Sequence, residues 1–175
     1  KEGLQRAAPN AHTAAVTVKE ALEAMGYVVR TKSLFDTLEV EAEASVIQDI
    51  ALAREINLFY PTDECVRMSF DEVTTDAELQ AIAHIFAEAR GKKAKTIKRA
   101  APAIASEVAR ESDFFTEKVF NSYRTETEMM RYIKRLELRD ISLMNSMISL
   151  GSCTMKLNAA QLMQPLSLAG FQNIH

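Results

Sequence analysis

Apolar positions along this chain recur at helical spacing in some stretches and alternate with polar ones in others. From Asn10 to Met25 the residues Val18, Leu22 and Met25 share one helical face, and Gly26 stands where a helix C-terminal cap belongs. Tyr27 to Lys32 is rich in β-formers. In Phe35 to Glu41, Leu38 and Val40 face opposite to Thr37 and Glu39, which predicts a half-buried strand. A second helix is expected over Ala44 to Ile56, burying Val46, Ile47, Ile50 and Ala53. Two strands follow, Asn57 to Tyr60 and Cys65 to Phe70, joined by Pro61-Thr62-Asp63-Glu64. In the second of them Val66, Met68 and Phe70 alternate with Cys65, Arg67 and Ser69.

Thr75-Asp76-Ala77-Glu78 has the form of a capping box, in which a hydroxyl and a carboxylate satisfy backbone donors left over at a helix start. Leu79, Ile82, Ala83 and Phe86 continue the stripe, and Arg90-Gly91 ends it. The order is helix, two strands, helix, two strands, helix. It predicts an α+β layer with helices on a mainly antiparallel sheet, closing near Gly91.

The pattern changes beyond that point. Lys92, Lys93, Lys95, Lys98 and Arg99 form a basic stretch without aromatic residues, read as a solvated linker in preference to a phosphate-binding patch. A further helix is expected over Ala100 to Glu111, starting near Pro102. Thr125-Glu126-Thr127-Glu128 is a second capping box, opening a helix to about Arg139 whose Met129, Tyr132, Ile133 and Leu136 read as core packing. The tail from Asp140 is rich in Met and poor in charge, as if meant to pack against something larger. Three parts result: residues 1–91 an α+β domain, 92–112 a basic and Ala-rich linker, and 113–175 a helical segment.

Composition narrows the functions open to such a chain. At 47% hydrophobic and 26% charged it reads as ordinary globular protein. A formal charge of −3 argues against nucleic acid as the main partner. No apolar run approaches the ~18 residues a bilayer span needs. The opening Lys1-Glu2-Gly3-Leu4 does not read as a signal peptide, and the lack of an initiator Met suits a segment cut from a longer protein. Cys65 and Cys153 suggest free thiols in a reducing compartment, and His12, His84 and His175 show no ligand spacing with them.

Candidate chemistry gathers at Gly151-Ser152-Cys153-Thr154-Met155-Lys156-Leu157-Asn158. A glycine here permits a tight turn with amides open to an anion, and a lysine can form a Schiff base or an ion pair. By spacing alone the motif reads as a buried structural turn.

Taken with Val119-Phe120-Asn121, Thr125-Glu126-Thr127-Glu128-Met129-Met130-Arg131-Tyr132, Asp140-Ile141-Ser142-Leu143 and Ser146-Met147-Ile148, the motif resembles the middle of glycine decarboxylase, the pyridoxal-phosphate (PLP) P-protein of the glycine cleavage system. The resemblance runs from about Phe35 to His175; residues 1–34 match loosely, through helix pattern and position. Departures are Glu117-Lys118 where the family commonly has His-Pro, Ser149 where it has Pro, and Phe59 where it has Arg.

The resemblance implies the small α+β domain of a fold type I PLP enzyme over residues 1–91. It implies the opening of a second half from about Asp113. It makes Ser152, Cys153, Thr154, Lys156 and Asn158 candidates for shaping the PLP–glycine pocket. Lys156 is not expected to be the cofactor lysine, which the family carries farther downstream after a histidine, so these residues alone are expected to be inactive. Implied partners are the rest of the P-protein, arranged as a homodimer or two-subunit assembly, and the lipoyl arm of the H-protein, with no nucleic acid or membrane. The implied compartment is bacterial cytoplasm, or mitochondrial matrix in a eukaryote. The α+β order by itself fits equally a non-catalytic regulatory or assembly module with a helical docking tail.

Overall fold

The computed structural model describes residues 2–102, 104, 109–141, 145, 147 and 159–172. The chain divides into two compact units, Lys1–Phe115 and Thr116–His175. In the first, α1 (Glu2–Ala24) leads to β1 (Val28–Val29) and β2 (Thr37–Glu41), then α2 (Ala44–Leu52), β3 (Phe59–Thr62), β4 (Cys65–Ser69) and α3 (Asp76–Ala89). The strands form one antiparallel sheet in the order β1-β2-β4-β3. This is the α+β layer that the alternation of periods predicts.

One face of the sheet presents Leu38, Val40, Val66 and Met68, all buried. Against it lie Ala14, Ala15, Val18 and Leu22 of α1, Ile47 and Ala51 of α2, and Leu79, Ile82, Ile85 and Phe86 of α3. Helix α3 packs on both α1 and α2. The alanines of α1 let its backbone come close to its neighbours, while Phe86 is the largest of the fully buried side chains. The opposite face carries polar pairs set by the register. Thr37 lies opposite Ser69 with their hydroxyls 2.8 Å apart, and Glu39 lies opposite Arg67 with 2.6 Å between charges. Arg30 adds an ion pair to Glu41 at 2.9 Å. The outer strands are short: β1 has two residues, and β3 contains Pro61 and a register irregularity between Phe59 and Thr62.

The three long helices of this unit end in the same way. After α1 the Tyr27 amide donates to Leu22 O at 3.0 Å and the Gly26 amide to Glu23 O at 2.9 Å, with Gly26 at φ +89°. After α3 the Lys92 amide reaches Ala87 O at 2.9 Å and the Gly91 amide Glu88 O at 2.8 Å, with Gly91 at φ +62°. After α2 the Ile56 amide reaches Ala51 O and the Glu55 amide Leu52 O, both at 3.0 Å. This closure needs a left-handed residue, and α2 has Glu55 at φ +58° where the others have glycine. An exposed L-residue there costs about 1 kcal/mol. Glu55→Gly is therefore expected to raise stability by roughly that amount, partly offset by greater chain freedom in the unfolded state. A urea melt showing Glu55→Gly less stable than the parent would contradict it.

Some expectations need correction. Helix α1 begins at Glu2 and not at Asn10, running through Pro9. The missing Pro9 amide leaves only the Gln5 carbonyl without its helical donor, in an exposed turn that water can reach. Helix α2 stops at Leu52 and buries Ala44, Ile47 and Ala51; Val46 and Ala53 are exposed and Ile50 is half-buried. Its core face is centred on Ala44, Ile47 and Ala51, with Ile50 packed at its margin. The segment expected as a helix over 100–111 is not helical at any of its described residues.

In the second unit a 3₁₀ turn (Lys118–Asn121) precedes α4 (Glu126–Glu137), whose box is complete: the Glu128 amide donates to Thr125 Oγ1 at 3.2 Å, and the Thr125 amide to Glu128 Oε2 at 3.2 Å. Tyr123 and Tyr132 stack at 4.2 Å, and Arg135 donates to the Tyr123 hydroxyl at 2.7 Å. Two single turns follow, α5 (Ala160–Met163) and α6 (Ala169–Gln172). The apolar stripe of α4, expected as core, is not buried. Ile133 is 56% exposed, and Met129 and Leu136 are exposed as well. The described residues of this unit include no sheet or second long helix to cover it.

Candidate functional site

Ser152, Cys153, Thr154, Lys156 and Asn158, with the rest of their motif, lie outside the described residues. A basic groove lies in the first unit. Its floor is a face of α1: Thr17, Ala21, Ala24 and Met25, with Glu20 at the edge. Its other wall is the segment after α3, which contributes Lys92, Lys93, Lys95, Ile97 and Lys98 around a volume of about 460 Å³.

That wall was expected as a solvated linker, yet its backbone is tied to the domain at several points. Gln80 on α3 clamps it from both sides, donating to Lys95 O at 3.1 Å and accepting from the Ile97 amide at 2.9 Å. Ile97 packs against the core. Arg99 turns away from the groove and donates to Asp76 at 2.9 Å, Thr74 O at 2.8 Å and Asn10 O at 3.2 Å. The Ala100 amide closes the strap on Thr17 Oγ1 at 2.8 Å. Thr17 in turn donates to Thr13 O within α1.

Other reactive side chains are committed elsewhere. Cys65 is buried, and burial together with the neighbouring Glu39 carboxylate pushes its thiol up from its ordinary value, so it is held as the poorly nucleophilic thiol. His12 is buried in α1, with Nδ1 2.8 Å from Phe35 O and its ring stacked on Phe35 at 5.9 Å. Nδ1 donates to that carbonyl, and Nε2 has no protein partner among the described residues. Tyr27 donates to Phe86 O at 2.8 Å, and burial raises its pKa, opposed by the adjacent Arg90. No grouping of three or more His, Cys, Asp or Glu suited to a metal ion occurs among the described residues. None of the described helices is long and apolar enough to cross a membrane.

The groove does not fit PLP. Its floor is Ala, Met and Ile, with no aromatic ring to stack on a pyridine, and all four lysines are exposed at its rim. No chemical step is derived through that cofactor from these residues.

Comparison with known proteins supplies what the geometry does not. The family model described as glycine cleavage system P-protein matches residues 1–86. Glycine dehydrogenase (decarboxylating) of Flavobacterium johnsoniae is 45% identical over 176 residues, covering 99% of this chain and 18% of that protein. The chain is thus similar to the glycine cleavage system P-protein over its first half and to glycine dehydrogenase (decarboxylating) over nearly its whole length. The protein of the same printed name from Bacteroides fragilis is 43% identical over 181 residues, covering 100% of this chain and 19% of its own. The mitochondrial one of Solanum tuberosum is 39% identical over 184 residues, covering 99% and 17%.

The chain thus spans about a fifth of the length of these curated relatives. Likeness to the family also extends through residues 1–34, which the sequence pattern had matched only loosely. Among solved structures, a NifS-like protein gives a TM-score of 0.46 at 19% identity, covering 51% of this chain and 29% of that one, a likeness too slight to bear on the fold.

Of the sequence-derived features, the basic stretch is one that borders a groove. The charge contrast was visible: residues 92–99 carry five basic side chains and no acidic one, after ninety residues with a large acidic excess. The Gln80 clamp was not, because a lone glutamine on a helix has no sequence signature.

Proposed function

We propose that this chain is part of a PLP-dependent glycine decarboxylase, an oxidoreductase that releases carbon dioxide from glycine and passes the aminomethyl group to the lipoyl arm of the H-protein. The observation that carries this is 45% identity, over 99% of the chain, to glycine dehydrogenase (decarboxylating). In this reading residues 1–91 are the α+β small domain closing the N-terminal half of a fold type I enzyme. Residues 92–112 are the connector, and 113–175 open the C-terminal half. PLP is held by a lysine beyond His175, and Ser152, Cys153, Thr154, Lys156 and Asn158 shape the pocket around cofactor and glycine. The assembled enzyme is a homodimer or a two-subunit assembly, in bacterial cytoplasm or, in a eukaryote, the mitochondrial matrix.

A segment exchange tests this. Put in place of the matching stretch of the Flavobacterium johnsoniae enzyme, the chain should give a chimera that releases carbon dioxide from glycine when lipoylated H-protein is present. In that chimera Ser152→Ala and Asn158→Ala should each slow turnover by about tenfold or more with PLP content unchanged, as loss of positioning groups does. A folded, PLP-loaded chimera without activity would sink the proposal. The 175 residues alone should yield no borohydride-trapped PLP adduct; a stoichiometric adduct on Lys156 would overturn the placing of the cofactor lysine downstream.

A further inference from the structure

The lysines of the strap are the densest run of basic side chains in their domain. Residues 2–91 carry more than twice as many acidic as basic side chains. Five basic groups of this unit pair with carboxylates, Lys19 with Glu23, Arg30 with Glu41, Arg54 with Glu88, Arg67 with Glu39 and Arg99 with Asp76, while Arg6, Lys32 and Arg90 stand singly and apart from one another in sequence. Among the described residues, Lys92, Lys93, Lys95 and Lys98 make no ion pair, although acidic side chains are plentiful on the same domain.

Like charges on a flexible segment would spread into solvent. These cannot move far, because the segment bearing them is fixed at Lys92 by the closure of α3, at Lys95 and Ile97 by Gln80, and at Arg99 and Ala100 by α1 and the turn before α3. The fold therefore holds several ammonium groups along one groove, a repulsive arrangement that a bound anion relieves. The groove is concave, and its volume of about 460 Å³ falls in the usual range for small-molecule sites, about 300–1,000 Å³. Its floor of Ala21, Ala24 and Met25 is apolar and lacks aromatic residues, which disfavours stacked bases. Lysine is depleted in protein–protein interfaces, so a small ligand suits the groove better than an acidic protein surface does.

We propose that the groove between α1 and the strap is a binding site for a small molecule carrying two linked phosphates on a short apolar body. Lys92, Lys93, Lys95 and Lys98 neutralise the phosphates, and Met25 and Ile97 receive the apolar portion. Such a ligand would lock the strap onto α1.

The test is a titration of the full chain with inorganic pyrophosphate at constant ionic strength, followed by amide NMR shifts. Saturable shifts confined to residues 17–25 and 92–98 are expected, with affinity falling as salt rises. The double variant Lys95→Gln/Lys98→Gln should weaken binding by about tenfold or more, since charge-assisted contacts are among the strong ones. Lys32→Gln, an exposed lysine outside the groove, should leave it unchanged. Shifts that never saturate, or equal weakening by Lys32→Gln, would overturn the site. Tighter binding of a decaglutamate peptide, or of vesicles containing anionic lipid, through the same lysines would overturn the assignment to a small diphosphate.

Discussion

Phe86→Ala is expected to lower the stability of the first unit by about 3–5 kcal/mol, the largest effect of any single substitution considered. Phe86 is fully buried on α3, between the helices and the sheet. Its ring meets Tyr27 edge to face, with centroids 5.1 Å apart at 89°. Its carbonyl accepts the Tyr27 hydroxyl. Truncation removes the ring contact and leaves a cavity bounded by a tyrosine whose polar end stays anchored, so Tyr27 cannot collapse into the gap without giving up that hydrogen bond. A loss of this size is a large part of the ~5–15 kcal/mol that holds a typical domain together. The alanine variant can therefore arrive unfolded, and Phe86→Leu should be measured beside it. Leucine retains most of the apolar volume and should cost roughly 1–2 kcal/mol in urea melts followed by circular dichroism. A leucine variant as stable as the parent would show that the ring is not the keystone of this core.

Gly26→Ala should be the second most damaging change, at about 1–3 kcal/mol. Two independent causes act there. The backbone sits at φ +89°, which L-residues avoid, and the closure of α1 depends on that conformation. An added Cβ would also lie 3.0 Å from Arg90 Nη1, the nitrogen that donates to Met25 O at 3.1 Å. Arg90 meanwhile covers the Tyr27 ring at 3.9 Å, so displacing it uncovers the aromatic pair described above. The causes separate in a double-mutant cycle. In an Arg90→Ala background the steric share vanishes and the penalty for Gly26→Ala should shrink to the backbone share alone. Strict additivity of the two variants would mean that Arg90 simply swings aside.

What was legible in the sequence is what short-range chemistry decides. The boxes at Thr75 and Thr125 are complete because a hydroxyl and a carboxylate three residues apart need no tertiary help. Gly26 and Gly91 mark helix ends for the same local reason. The alternation around Leu38, Val40, Val66 and Met68 gave the buried face of the sheet correctly, since a one-residue slip would turn every side chain outward.

The failures are tertiary. Val46 is a better core residue than Ala44 by hydrophobicity, but close packing of α2 favours the alanine side. The helical pattern reads only from Asn10, yet the helix runs back through Pro9 to Glu2. The stripe on α4 has perfect periodicity and is nonetheless exposed, because periodicity states which face is apolar and not what covers it. Of the candidate sites, the Gly151–Asn158 motif rests on likeness to relatives, whereas the lysine groove needed the Gln80 contacts to emerge.

The short outer strands have a consequence for how this domain can be handled and joined to larger bodies. Sheets polymerise when a bare border lets a neighbour continue the ladder. Here one border is a two-residue strand, and the other is interrupted by a proline without an amide proton and by a break in register. Neither is a template for cross-chain recruitment, so the domain should resist amyloid-like stacking even at high concentration and associate through side-chain surfaces instead.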